Sequence, residues 1–253
     1  MLQKIISTAL HRNELYKYQK LSYLINTMLG GIYIGFGMLL LMTLGGQMTD
    51  LPVLKLLQGA TFGIALTMVI MAGADLFTGN ALIMPISSFH KSVSWLHTYK
   101  LFFTSYIGNL IGALLLAITF VATGLVSGAL ADYVITASTG KIAPSFLALF
   151  ARGVLCNVLV CLAVWGSFKL QSESAKILFT FCCILPFITM SFEHSIANMT
   201  LFAVAYFMPD SPFIASDFIY NLIPVTLGNI AGGMFVAFVY WHTALKGLSE
   251  KSF

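Results

Sequence analysis

Residues 72–80 read Ala-Gly-Ala-Asp-Leu-Phe-Thr-Gly-Asn, and they lie inside an apolar run, 56–86, that is too long for a plain helical crossing of a bilayer. An ionisable side chain at membrane depth costs about 2.5–3.5 kcal/mol on insertion scales, so Asp75 needs compensation. Backbone that leaves the helix there is tolerated only where protein buries it or where it lines a cavity. The same features recur downstream. The run 177–208 is also over-long and carries Phe-Glu-His-Ser-Ile-Ala-Asn-Met at 192–199. In each run an acid precedes an asparagine by five positions, Asp75 before Asn80 and Glu193 before Asn198. A second pair of landmarks follows, Gly108-Asn109 with Gly112 and Gly228-Asn229 with Gly232. The first pair is offset by 118 residues and the second by 120.

Working outward, six apolar stretches are long enough to cross a bilayer, at about 24–44, 56–86, 99–124, 143–168, 177–208 and 219–244. Three spans per repeat is an odd number, so the second half is expected upside down relative to the first. The expected fold is an all-α polytopic membrane protein. It has six transmembrane helices arranged as two inverted three-helix repeats, 24–124 and 143–244, with helices 2 and 5 broken near Asp75–Asn80 and Glu193–Asn198 around a pore. Segment 1–22 is expected as an amphipathic helix on the cytoplasmic interface, because Leu2, Ile5, Ile6, Ala9 and Leu10 follow helical spacing. The channel domain then spans 23–245, with a cytoplasmic tail at 246–253.

Loop charges orient the chain. With the N-terminus inside, the cytoplasmic segments hold Lys4, Arg12, Lys17, Lys20, Lys91, Lys100, Lys169, Lys176, Lys246 and Lys251, whereas the outer loops hold Lys55 and Lys141 beside Asp50, Asp132, Asp210 and Asp217. The positive-inside rule therefore places both termini in the cytoplasm.

Only 9% of the 253 residues are charged while 58% are hydrophobic, so a water-exposed surface could not be kept in solution and lipid must cover much of the chain. No Lys/Arg-rich run is present to grip phosphates, which argues against nucleic acid as a partner. Cys156, Cys161, Cys182 and Cys183 lie in apolar stretches without metal-ligand spacing, so neither a disulfide nor a metal is expected. His194 is the one histidine near mid-bilayer, which weighs against a haem-bearing redox subunit and its axial ligand pairs. No cofactor and no enzymatic reaction are expected. An imidazole on a permeation route can hold or release a proton near neutral pH, or serve only as a hydrogen-bond spacer. Lys141 either draws anions toward the pore or snorkels to headgroups. Arg152, about three turns into the fourth span, either lines an aqueous vestibule or pairs with an acid at a subunit contact.

The motifs AGADLFTGN at 72–80, LCNVLVCLAVW at 155–165, FEHSIANM at 192–199 and TLGN at 226–229 resemble the formate/nitrite transporter family over essentially the whole chain. The resemblance implies a homopentamer of aquaporin-like protomers in a bacterial cytoplasmic (inner) membrane, each protomer passing a small monovalent anion (nitrite, formate or hydrosulfide). It implies that Thr78 faces His194 and that Phe62, Leu66, Leu76 and Phe187 line apolar constrictions on either side. It further implies a polar network of Lys141, Asn157, Glu193 and Asn198 around the histidine. The short N-terminus and the stretch MTLFAVAYF at 199–207 look like the nitrite branch. The mechanism expected from this is protonation of the anion near Thr78, directly or through His194, and passage as the neutral acid. The competing mechanism is a passive anion channel in which His194 only donates a hydrogen bond.

Overall fold

A computed structural model describes residues 1–249, with side chains described through residue 244. The described residues form ten helices: α1 Leu2–Tyr18, α2 Lys20–Gln47, α3 Leu54–Ala72, α4 Phe77–Phe89, α5 Trp95–Ala122, α6 Gly128–Ile142, α7 Phe146–Lys169, α8 Glu173–Thr189, α9 Ser195–Phe207 and α10 Ala215–Ser249. Five of them, α2, α3, α5, α7 and α10, are long and apolar enough to cross a membrane. The expected tail begins within α10, and residues 250–253 lie outside the described residues.

The two over-long runs are each cut in two, at residues 73–76 and 190–194. The cuts fall a few residues before the expected positions, so Asn80 and Asn198 sit in the first turns of α4 and α9 rather than in the gaps. The reason is local. Gly73 adopts a left-handed conformation, φ +74°, and Ser191 does the same at φ +57°. In that geometry the chain turns back on itself, with Ala74 N–H donating to Val69 O at 3.1 Å and Phe192 N–H to Phe187 O at 2.9 Å. The two closures are 118 residues apart at both ends.

Packing exchanges partners between the halves. Helix α2 packs on α3 and α5, and α7 packs on α8 and α10, whereas short α4 lies against α10 and short α9 against α5. Met1 and Leu2 border a cavity with Trp165, Tyr240 and Thr243, so α1, the C-terminal end of α7 and the end of α10 share one face. We call it the terminal face, and the opposite one the far face. Trp165 stacks on Tyr240 at 3.9 Å between centroids on the terminal face, beside a cluster of Phe89, Trp95 and Trp241. Such a belt suits a membrane–water boundary.

Where lipid offers no hydrophobic drive, close helix approach supplies the packing. A Cβ on Gly31 would collide with Asn109 O of α5, and one on Gly228 with Phe150 O of α7. A Cβ on Gly140 of α6 meets nothing within 4 Å. Gly31→Ala is therefore expected to cost about 1–3 kcal/mol through overpacking, read as a lower midpoint of thermal aggregation in detergent, while Gly140→Ala leaves the midpoint unchanged or slightly raised. Equal midpoints for the two variants would show that the α2–α5 contact is not set by that glycine.

Candidate permeation site

Breaking a helix frees backbone groups, and the positions of Asn109 and Asn229 answer that need. Asn109 Oδ1 accepts the N–H of Phe77, the first residue of α4, at 2.9 Å, and Asn229 Oδ1 accepts the N–H of Ser195, the first residue of α9, at 2.9 Å. The amide nitrogen of Asn109 donates to Asp75 O at 3.0 Å and to Thr27 O at 2.5 Å. That of Asn229 donates to Glu193 O and Gly153 O, both at 2.9 Å. The acids' own N–H groups donate to Asn26 O and Arg152 O, both at 3.3 Å. Each bond at one break thus has a counterpart at the other.

The acids are compensated in the same way. Asn80 Nδ2 donates to Asp75 Oδ1 at 2.6 Å, and Asn198 Nδ2 donates to Glu193 Oε2 at 2.7 Å. Each also faces one cation. Arg12 Nε lies 3.0 Å from Asp75 Oδ2, and Lys141 Nζ lies 2.8 Å from Glu193 Oε2. Arg12 is therefore not a free loop charge, as its sequence position suggests. Helix α1 buries Ile5, Ala9 and Asn13 against the body and carries the guanidinium inward, where NH1 also donates to Asn80 Oδ1 at 2.5 Å. Lys141 is not a free loop charge either. It ends the separate helix α6, because Pro144 and the N-cap Ser145, whose Oγ accepts from Ala148 N–H, start α7 afresh. Asn221 of α10 was not singled out by sequence. It ties this corner together by accepting from Asn198 Nδ2 at 2.8 Å and donating to Lys141 O at 2.7 Å. Ser105, also missed, donates to Asp75 Oδ1 at 2.8 Å.

The first turns of α4 and α9 meet at Thr78 and His194, with Thr78 Oγ1 3.0 Å from His194 Nε2 and both residues buried. His194 caps its own helix, Nδ1 accepting the N–H of Ala197 at 3.2 Å. A nitrogen that accepts carries no proton, so the neutral ring is protonated on Nε2 and donates to Thr78. The hydrogen of the Thr78 hydroxyl is then free to point elsewhere. Asn157 Nδ2 donates to Thr78 O at 3.3 Å and fixes that turn from α7. Two helix N-termini converge at this point, and their aligned peptide dipoles favour negative charge.

A cavity of ≈ 540 Å³ opens from the terminal face. Lys4, His11, Arg12 and Lys176 stand in its walls, and Leu66, Leu76 and Gly79 bring it to within one residue of Thr78. On the other side of His194, the Phe62 and Phe187 rings meet edge to face at 5.8 Å, and Phe187 lies over the imidazole at 6.2 Å. Both phenylalanines are about 1% exposed. Of the sequence-selected residues, Leu66 and Leu76 share the cavity wall, Thr78 meets His194, Phe187 meets both His194 and Phe62, Asn157 holds Thr78, and Asn198 and Lys141 hold Glu193.

A bundle of apolar helices enclosing a charged cavity that ends one residue short of a buried hydroxyl–imidazole pair is the architecture of a membrane transport protein. The profile of the formate/nitrite transporter family matches residues 1–242, and the chain belongs to that family. It is 36% identical over 232 residues to the nitrite transporter NirC of Escherichia coli (strain K12), covering 89% of this chain and 85% of that one. A solved FNT family ion channel superposes with a TM-score of 0.91 at 34% identity, over 96% of this chain and 98% of that chain. A pentameric formate channel with formate bound superposes at 0.79 with 32% identity, over 90% and 99%.

Removing one partner of a buried ion pair strands the other charge at a cost of about 3–5 kcal/mol. Arg12→Ala is expected to destabilise the protein by that amount, and adding Asp75→Asn to recover most of it, as read from thermal unfolding in detergent. A double variant no more stable than the single one would assign α1's contribution to packing alone.

Proposed function

We propose that this protein is a channel for small monovalent anions, with nitrite as its physiological substrate and formate or hydrosulfide as the alternatives. Anion passage is carried by one observation: two helix N-termini and a hydroxyl hydrogen converge between apolar walls at Thr78–His194. The nitrite assignment rests on the stretch MTLFAVAYF at 199–207. The protein works as a homopentamer of protomers, each with six crossings in two inverted three-helix repeats, aquaporin-like in plan. It resides in a bacterial cytoplasmic membrane, and the terminal face is the cytoplasmic one, since moving Arg12 inward leaves the basic excess of that side intact.

An ion as small as nitrite meets a steep desolvation cost between Phe62 and Phe187, and its neutral acid meets far less. The anion gathers in the basic vestibule, accepts the Thr78 hydroxyl hydrogen, and crosses the ring pair with a proton. For His194 to supply that proton, Nδ1 must carry one as well, and the Ala197 N–H bond would be lost. The geometry favours the imidazole as a neutral donor that orients Thr78, with the proton coming from vestibule water and the hydroxide so formed returning to the bulk on the side of entry.

Nitrite uptake into proteoliposomes with simultaneous recording of internal pH tests this. His194→Gln keeps a donor toward Thr78 and is expected to retain proton-coupled uptake at a rate lowered by on the order of tenfold, while His194→Phe loses most flux. Uptake by His194→Gln that has become electrogenic, with no proton moving, would make the imidazole the proton relay. Undiminished flux in His194→Phe with unchanged pH dependence would remove the pair from the route.

A further inference from the structure

Arg152 is left over when the site is assembled. It lies on α7, roughly 9 Å from the Phe146 end by helical rise, at a depth where an unneutralised guanidinium is expensive. Among the described residues the ion pairs are Arg12–Asp75 and Lys141–Glu193, and Arg152 takes part in neither. Its side chain is half-buried, and its contact at the break is made by its backbone oxygen, which accepts the N–H of Glu193 at 3.3 Å.

The bond-for-bond match between the two breaks shows what such a position faces. The counterpart of Arg152 is Asn26, whose backbone oxygen accepts the N–H of Asp75. Asn26 stands in the wall of the terminal-face cavity, and its amide reaches Gly73 O at 3.5 Å. The counterpart of Gly73 is Ser191, the left-handed residue of the second break. Lys55 Nζ already donates to Ser191 Oγ at 2.8 Å. By that correspondence position 152 lies on the far side of its break as Asn26 lies on the near side of the other, and Lys55 is bonded to the turn of the same break.

We propose that Arg152 is the anion-docking residue of the far mouth, presenting its planar guanidinium to a planar two-oxygen anion, a carboxylate or nitrite, before that anion meets the Phe62–Phe187 rings. This rests on the anion-channel reading above. A guanidinium offers two parallel N–H donors that match two coplanar oxygens, and an ammonium does not. Lys141, held by Glu193, has most of its charge neutralised and offers an approaching anion little. A spherical anion such as hydrosulfide gains nothing from the fork, so Arg152 also separates substrates by shape.

The test is a set of concentration dependences for nitrite, formate and hydrosulfide influx at the far face of the purified protein in liposomes. Arg152→Lys keeps the charge and the stem. It is expected to raise the half-saturating concentration of nitrite and formate about fivefold while hydrosulfide stays within about twofold of wild type. Arg152→Gln is expected to raise all three and to flatten their dependence on ionic strength. Arg152→Lys acting equally on the three anions, or on none, overturns the proposal. So does a pair of variants that dissociate more readily in detergent yet show wild-type half-saturation per intact channel, since that outcome places Arg152 at a subunit contact. A wild-type protein that passes none of the three anions fails the channel reading itself, whereas a conducting wild type with unaffected variants fails this inference alone.

Discussion

Backbone that leaves a helix inside a membrane has no water to turn to, and the two asparagines Asn109 and Asn229 carry the answer in this protein. Each primary amide offers an acceptor to the first N–H of a half-helix and donors to two carbonyls, one of them at the break itself. Only asparagine and glutamine carry an acceptor and two donors on one planar amide, and asparagine does so on the shorter stem. The consequence is geometric. With those bonds made, α4 and α9 start where their amides are held, and their second residue and N-cap, Thr78 and His194, are brought to 3.0 Å of each other.

The acids follow from the same constraint. A turn held against the neighbouring helix leaves Asp75 and Glu193 buried, and each is answered by an asparagine one turn into the half-helix and by a cation from outside the broken pair. Those cations come from helices that are not long enough to cross, α1 and α6, and so the two peripheral helices are fastened to the middle of the protein by charge. Burying an ion pair is not in itself stabilising, because desolvation consumes most of the attraction. What the pairs provide is registry: α1 can dock only where Arg12 reaches Asp75, and α6 only where Lys141 reaches Glu193. Helix α6 is further located by Gln58, which donates to the Tyr133 hydroxyl at 2.8 Å.

How much of this could be read from the chain depended on whether the signal was periodic or tertiary. The over-long apolar runs, the acid–asparagine spacing and the Gly-Asn pairs are written in sequence distance, and they located both breaks to within a few residues. The gaps came out slightly early because the left-handed turn at Gly73 and Ser191 precedes the acid, and a serine in that conformation carries no sequence signal. Arg12 was grouped with loop charges, although it lies seven residues after Ile5 and hence on the buried stripe of α1; a charge on an apolar stripe was the available clue. Lys141 reads as an outer-loop charge because α6 is too short and mixed in composition to stand out as a span, and its partner Glu193 is tertiary. Asn221 and Ser105 left no trace, since each is a lone polar residue in an apolar helix and acquires its partners only when other helices arrive.

The scaffold is nearly symmetric, and the chemistry placed on it is not. The residue that corresponds to His194 is Leu76, with almost the same backbone geometry at the helix cap, φ −113° against φ −115°. Symmetric hydrogen bonding supports both positions, yet one arm carries a ring with a donor and an acceptor and the other an aliphatic wall. Thr78, two residues past Leu76, has Ile196 as its own counterpart, so each arm contributes one polar and one apolar group, and the hydroxyl and the ring meet from opposite arms. The shared backbone frame sets the spacing, and the residues that differ between the two arms set the chemistry.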